Sequence, residues 1–368
     1  MDSLLKQIGL HEIYWKVLEG SRLSEEDALK LYRCPNLPAL SYLATIARRR
    51  LNGDSATYVL NRYINYSNVC ILSCQFCAFA RKKNAPGAFT FEIEEIIQQA
   101  REAYEHGVRE VHIVGGLHPN LPWDYYTKMI RGIKASCPEM WIKAFTAIEI
   151  RHLADRIARK PVSEVLSELK DCGLGSLTGG GAEIFDATVR DQICRGKESA
   201  EEWLEVHRLW HQMGGRSTCT MLYGHVETLQ HRVDHLRRLR DLQDETGGFT
   251  AFIPFAFESE NNALSHIKRC TAVEDLRNIA VARLYLDNIR HITAYWISLG
   301  LPLAQIALYY GADDLHGTIT VERIFHMAGA RTPQEQTAEE LRQAILEAGF
   351  RPVRRDTWYQ PVEVEVPG

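Results

Sequence analysis

From residue 57 onward, two periods of hydrophobicity take turns along the chain. Short apolar runs rich in β-branched and aromatic residues occupy 58–69, 108–114, 140–146, 175–177, 216–222, 248–257, 292–297 and 306–309. These read as strands. Between them, apolar residues recur at helical spacing over 92–106, 123–135, 162–172, 201–213, 229–243 and 274–288, with Gly107 and Gly173 placed as helix stops. Eight strand candidates alternating with helices predict an α/β fold with a parallel sheet, and eight is the number that closes a (β/α)8 TIM-type barrel. Upstream, Leu5, Ile8, Ile13 and Val17 share one helical face, Leu40, Leu43, Ile46 and Ala47 another, and Ser24 stands as an N-cap before Glu25-Glu26-Asp27. Arg48-Arg49-Arg50 reads as a solvated helix end. The expected organisation is an N-terminal helical extension over 1–56, the barrel over 57–317, and an extension over 318–368 with helices at 321–327 and 338–347.

Charge narrows the partners. The 368 residues hold 43 lysines and arginines against 47 acidic residues, so no basic surplus points to nucleic acid or to anionic lipid. Small molecules and proteins are the expected partners. No apolar run approaches the ~20 residues that span a bilayer, and Asp2, Glu12 and Lys16 interrupt any leader-like segment. With nine cysteines, an odd count, a reducing cytoplasm is the expected compartment.

Three of those cysteines dominate the chemistry: Cys70, Cys74 and Cys77 follow the first strand at C-x3-C-x2-C spacing. Thiolates this close can converge on one metal centre, yet a structural zinc or an ordinary cubane takes four protein ligands. Three leave one iron of a cluster open to a small molecule, such as the amino and carboxylate groups of S-adenosylmethionine. Zinc would need His106 or Cys137 as a distant fourth ligand, and three unrelated core cysteines are the plainer alternative. Cys34, Cys137, Cys172, Cys194, Cys219 and Cys270 are expected to be ordinary residues.

Barrel chemistry gathers at the carboxyl ends of strands, which directs attention to the loops there. Gly115 and Gly116 allow close backbone approach to an ammonium group, or form a plain turn. Gly179-Gly180-Gly181-Ala182-Glu183 joins a permissive backbone to a carboxylate suited to ribose hydroxyls. His118 and His225 stand at the same rim, as do Asp313 and Asp314, which are paired acid/base carboxylates or a loop turn.

The tripled cysteine spacing resembles the signature of the radical S-adenosylmethionine (SAM) superfamily. Together with Gly115-Gly116-Leu117-His118-Pro119, Gly179-Gly180-Gly181-Ala182-Glu183-Ile184-Phe185, Thr220-Met221-Leu222-Tyr223-Gly224-His225 and Asp244-Glu245-Thr246-Gly247-Gly248-Phe249, it resembles the aminodeoxyfutalosine synthase family of menaquinone biosynthesis. Thr178 departs from the proline usual there. The resemblance implies a radical SAM barrel and a [4Fe-4S] cluster on Cys70, Cys74 and Cys77. It also implies addition of the 5′-deoxyadenosyl radical to 3-[(1-carboxyvinyl)oxy]benzoate, with electrons from a low-potential donor such as flavodoxin or ferredoxin. On this basis SAM is expected near Gly115, Gly116, Glu183, Phe76 and the Ile253-Pro254 backbone. Substrate carboxylates are expected near His118, Arg195 and Lys197, with Arg81 in reserve. Phe252, Phe255, Tyr295 and Trp296 are expected as an apolar rim, with Tyr295 touching substrate. The enzyme alternatives are the deazaflavin-precursor synthase that joins tyrosine to a ribitylaminouracil and the cyclic dehypoxanthinylfutalosine synthase. A non-catalytic iron–sulfur or zinc protein is the alternative of another class.

Overall fold

The structure is a computed structural model and describes residues 2–362. Seven parallel strands form one sheet in chain order: β2 (Asn61–Ile64), β3 (Glu110–Ile113), β4 (Trp141–Ala144), β5 (Ser176–Leu177), β6 (Arg216–Tyr223), β7 (Phe249–Ala256) and β8 (His291–Ile292). A second sheet places β1 (Ser55–Val59) between β9 (Asp314–Gly317) and β10 (Arg351–Arg354). The two sheets share one ring. Only Leu60 separates β1 from β2, and on the far side Thr293 bridges Asp314 in parallel, with Ala294 N donating to Asp314 O at 2.8 Å. Apart from the eight-residue β6 and β7 the strands are short, and most strands are followed by a helix on the outside, as parallel connections require.

The eighth staves of the expected and observed barrels differ. Residues 306–309 belong to the helix Leu301–Ala307 and the 3-10 turn Leu308–Tyr310, which Pro302 starts at its first turn. A four-residue apolar run does not distinguish the two periods; here Ile306 and Tyr309 are the exposed face of a helix. The closing strand is β9, in a stretch whose acidic start resembled a loop. Over 292–297 the strand stops at Ile292 and Trp296–Leu299 is helical. The expected helix over 321–327 begins at Ile324, because Ile319, Thr320 and Val321 are held at φ of 71°, 48° and 62°. Helices Ala147–His152, Ala187–Cys194, Trp296–Leu299 and Leu301–Ala307 and the π-helical turn Leu153–Ala158 were not expected; the six helices expected between 92 and 288 lie close to their spans.

The N-terminal residues form four helices, and the last, Leu37–Asn52, packs on Ala272–Tyr285 outside the barrel. Ser24 caps the third in a reciprocal capping box with Asp27. Arg48 is not solvated: it is fully buried, donating to the carbonyls of Ala312 (2.7 Å), Gly53 (2.8 Å) and Ser55 (2.6 Å). One cation thereby ties the helix to both strands of the closing seam at their amino-terminal end.

The amino-terminal mouth of the barrel is stoppered by the segment after β10. Arg355 Nε donates to Asp314 Oδ2 at 2.6 Å, Thr357 Oγ1 to Glu110 Oε2 at 2.6 Å, and the Tyr359 ring stacks 4.2 Å from that of His291. Burial resists ionisation of Glu110, but Lys143 and Arg355 hold its carboxyl below the usual range. No helix among the described residues is long and apolar enough to cross a membrane.

Candidate active site

A cavity of about 280 Å³ opens at the carboxyl ends of the strands, where β2 runs on into the cysteine loop. Cys70, Cys74 and Cys77 all line it. The loop is fixed from several sides: Cys70 N donates to Arg81 O at 2.9 Å, Gln75 N to Ile193 O at 2.7 Å, and Lys82 Nζ to the carbonyls of Ile71 and Leu72, both at 2.9 Å. Arg81 spends its guanidinium on the carbonyls of Ala78 (2.7 Å) and Ala80 (2.9 Å), so it does not reach into the cavity.

Burial pushes the Cys74 thiol up to about 12 and raises that of Cys77, against the backbone amides of Ala80 and Phe79 that face its sulfur. Thiols held neutral by desolvation become ligands when a positive partner arrives. Among the described residues no three His, Cys, Asp or Glu side chains meet as tightly as a single ion demands. Three sulfurs that share a cavity without meeting at a point suit an iron–sulfur cluster, in which each thiolate takes a different iron. The two distant candidates for a fourth zinc ligand lie elsewhere: His106 caps the helix Ile93–Glu105 and Cys137 the helix Trp123–Ser136, ends that lie at the opposite mouth from the cysteine loop.

Gly115 and Gly116 line the cavity, and their glycine requirement has a local cause. A Cβ on Gly115 would lie 2.6 Å from the Tyr66 ring, and one on Gly116 would lie 2.4 Å from Val69 O. The turn after β3 therefore lies directly against the backbone leading to Cys70. Behind it Glu149, which sequence reasoning missed, accepts from Tyr66 Oη (2.8 Å), Gly115 N (3.0 Å) and Thr146 N (2.8 Å). Burial raises its carboxyl despite these donors.

The loop after β5 brings Gly179, Gly180, Gly181 and Glu183 to the same cavity. Arg190, buried, donates to Ala182 O at 2.6 Å and so fixes the loop from behind. Glu183 accepts from Lys197 Nζ at 2.5 Å, both nearly buried, and Lys197 lies 5.7 Å from the Phe76 ring centroid. Phe76, Ile253, Phe255 and Tyr295 complete the wall.

Several expected site residues lie elsewhere. Asp313 and Asp314 open β9 rather than following a strand, which puts them at the amino-terminal mouth: Asp313 binds His291 Nδ1 (2.6 Å) and Asp314 binds Arg355. His118 is a loop staple whose Nδ1 accepts from Asn120 N (3.1 Å) and Leu121 N (3.0 Å). His225 is buried between Leu222 O and Val226 N, at 3.0 and 2.8 Å. Arg195 follows the unforeseen helix Ala187–Cys194 and pairs with Asp191 at 2.8 Å on the exposed surface. Pro254 alternates out of register with Ile253 and Phe255, which line the cavity. Phe252 and Trp296 are core, the latter donating to Gly317 O at 2.8 Å. Unanticipated lining residues come from strand interiors: Tyr63, His112, Thr218, Thr220 and His316. Polar residues at every second position of β3 and β9 were the available signal.

The pattern described as "Radical SAM superfamily" matches residues 64–239, and "CofH/MqnC C-terminal region" matches 246–367. Aminodeoxyfutalosine synthase of Thermus thermophilus is 47% identical, over 95% of each chain. The 5-amino-6-(D-ribitylamino)uracil–L-tyrosine 4-hydroxyphenyl transferase of Methanopyrus kandleri is 41% identical over 86% of this chain and 87% of its own. Cyclic dehypoxanthine futalosine synthase of Streptomyces coelicolor is 38% identical over 98% and 91%. Among solved structures, methylornithine synthase shares the fold, with a TM-score of 0.73, 18% identity, and coverage of 92% of this chain and 96% of its own. A cysteine loop, a barrel and relatives matched almost end to end agree, and the chain belongs to the radical SAM superfamily, within the family of the aminodeoxyfutalosine synthases.

Proposed function

We propose that the protein joins the 5′-deoxyadenosyl part of SAM to 3-[(1-carboxyvinyl)oxy]benzoate, with loss of a carboxyl group, to give 6-amino-6-deoxyfutalosine for menaquinone. The observation that carries this reading is one cavity lined both by the three cysteine thiols and by the aromatic rings of Phe76, Phe255, Phe257 and Tyr295. Cys70, Cys74 and Cys77 would hold a [4Fe-4S] cluster, which would supply the electron for cleavage of SAM when charged by a low-potential donor such as flavodoxin or ferredoxin.

The chain's own part is positional. The turn at Gly115 and Gly116 keeps the cysteine loop against β3, so that SAM and the thiols share one frame. Glu183 faces the ribose and must then share its carboxylate with Lys197. Phe76 and Ile253 flank the adenine. Ile253, Phe255, Phe257 and Phe325 also line the cavity and keep water from the reacting alkene.

With SAM labelled on its adenosyl carbons, anaerobic turnover should place the label in an aryl-ketone nucleoside that retains adenine, one for one with enol ether consumed. Release of the label chiefly as 5′-deoxyadenosine would overturn the addition reading in favour of a hydrogen-abstracting relative, such as the enzyme that joins tyrosine to a ribitylaminouracil.

A further inference from the structure

The floor of the cavity holds three rings that the chemistry above leaves unused. Tyr63 of β2 stacks on His112 of β3 at 4.4 Å and 19°, and its hydroxyl lies 3.3 Å from Nε2 of His316 on β9. The Tyr295 ring meets His316 edge-on at 5.2 Å. All four residues line the cavity. Burial, with Lys143 nearby, pushes His316 down to about 3 and His112 well below its ordinary value, so both imidazoles are neutral and each carries one N–H.

Both Nδ1 atoms are buried and have no hydrogen-bond partner. Such orphans are rare and unfavourable. His316 also sits at φ 68°, a left-handed conformation that costs a non-glycine residue energy. At His316 the unpaired nitrogen and the backbone strain coincide in a residue that lines the cavity, which leaves a place for a partner that arrives with a ligand.

The charge around the cavity indicates which ligand group. Glu149, Glu183, Glu258 and Glu322 line it, but each is already engaged: by Tyr66, Lys197, Arg269 and the Phe325 amide respectively. Lys197 is the sole lysine or arginine among the described lining residues, and Glu183 holds it. A carboxylate reaching the floor therefore meets neutral imidazole N–H donors rather than a free cation, above a buried cluster in which Lys143 and Arg355 are balanced by Glu110 and Asp314. We propose that His112 and His316, oriented by Tyr63, receive the carboxylate on the substrate's aromatic ring, with the ring against Tyr295 and Phe255. This rests on the reading that the substrate is an aryl carboxylate.

The test uses 3-ethoxybenzoate, which has no alkene to react, and its neutral counterpart 3-ethoxybenzamide. Each is titrated calorimetrically into the anaerobic, cluster-loaded enzyme with SAM present. His112→Phe keeps a ring against Tyr63 and loses the N–H; it should weaken the acid about tenfold or more, the loss of one hydrogen bond to a charged group, and the amide less than about threefold. His316→Ala should behave likewise. His316→Asn, which restores an N–H donor and tolerates a left-handed backbone, should recover most of the affinity. SAM affinity should be unchanged in all three. Equal weakening of acid and amide, or acid affinity within about twofold of wild type in His112→Phe, would overturn the proposal; His112→Phe decides alone if His316→Ala does not fold. Turnover of the enol ether by wild type is scored separately. Turnover with indifferent histidines defeats this inference alone, whereas histidine-dependent acid binding without a nucleoside product defeats the proposed function.

Discussion

Glu198 shows how much a single side chain can hold behind a binding loop. Its carboxylate oxygens are buried without a hydrogen-bond partner, and one would lie 2.9 Å from a Cβ placed on Gly181. Burial pushes its carboxyl up to about 8, against Lys197 and Arg190. The folded protein therefore keeps a proton that the unfolded chain releases near pH 4.5. Stability falls as pH rises through that window, by up to about 1.4 kcal/mol per unit, and the loss persists above it. Glu198→Gln should flatten the slope: in urea unfolding, its stability relative to wild type should be greater at pH 8 than at pH 5, and an equal difference at both would refute the account. Cys194, also buried and electrostatically coupled to Cys74, is expected to be replaceable by Ser with the cluster's visible absorbance intact. Cys74→Ala should abolish that absorbance. At this scale the sequence was legible where spacing itself is chemistry, as for Cys70, Cys74 and Cys77. His118, His225 and Arg195 were expected at the rim from their place after strand ends; here His118 and His225 staple their own turns, and Arg195 forms a helix-end ion pair.

Elements tell a similar story through their edges. The turn Gly115-Gly116 was legible as special, but its visible signal, two glycines, does not say what comes close. Here it is the backbone of the neighbouring strand. Gly116→Ala sets a Cβ against Val69 O, an atom that cannot swing away. The expected cost is about 1–3 kcal/mol of overpacking, seen as a lower melting temperature together with reduced iron per chain after anaerobic reconstitution. Full iron loading at wild-type stability would show that the turn is free to shift. Helices were legible from period and caps, including Val162–Cys172 and Ala338–Glu347. The two-residue strands β5 and β8 and the closing β9 are too short for a period to settle, and β9 is defined by its partners across the ring.

For the whole molecule, the barrel is held shut from below as well as around its wall. Arg355 and Asp314 are both buried, and the ion pair holds the Asp314 carboxyl below the usual range despite its burial. Removing one member of such a pair strands the other charge, typically at about 3–5 kcal/mol. Arg355→Ala should lose about that much in urea unfolding at pH 7, and the deficit should narrow at acid pH, where Asp314 protonates. A deficit below about 1 kcal/mol would make the stopper an ornament. The alternation of strands and helices let the barrel be read from sequence. The stopper was not legible, because a short mixed segment at the end of a chain gives no sign of where it docks.

That arrangement sets the order in which the protein can be made. β1 is among the first strands to be synthesised, yet its partners, β9 and β10, are among the last. While the ribosome works through nearly the whole barrel, β1 waits with both edges unsatisfied, the condition in which strands pair with the wrong chain. The four leading helices emerge before it, and Arg48 already reaches Ser55 O at the start of that strand. Arg48 and Ser55 are only seven residues apart, so this contact at the start of β1 needs none of the late strands. Chains that stall before the final turns would hold every cysteine of the loop without a barrel to enclose them.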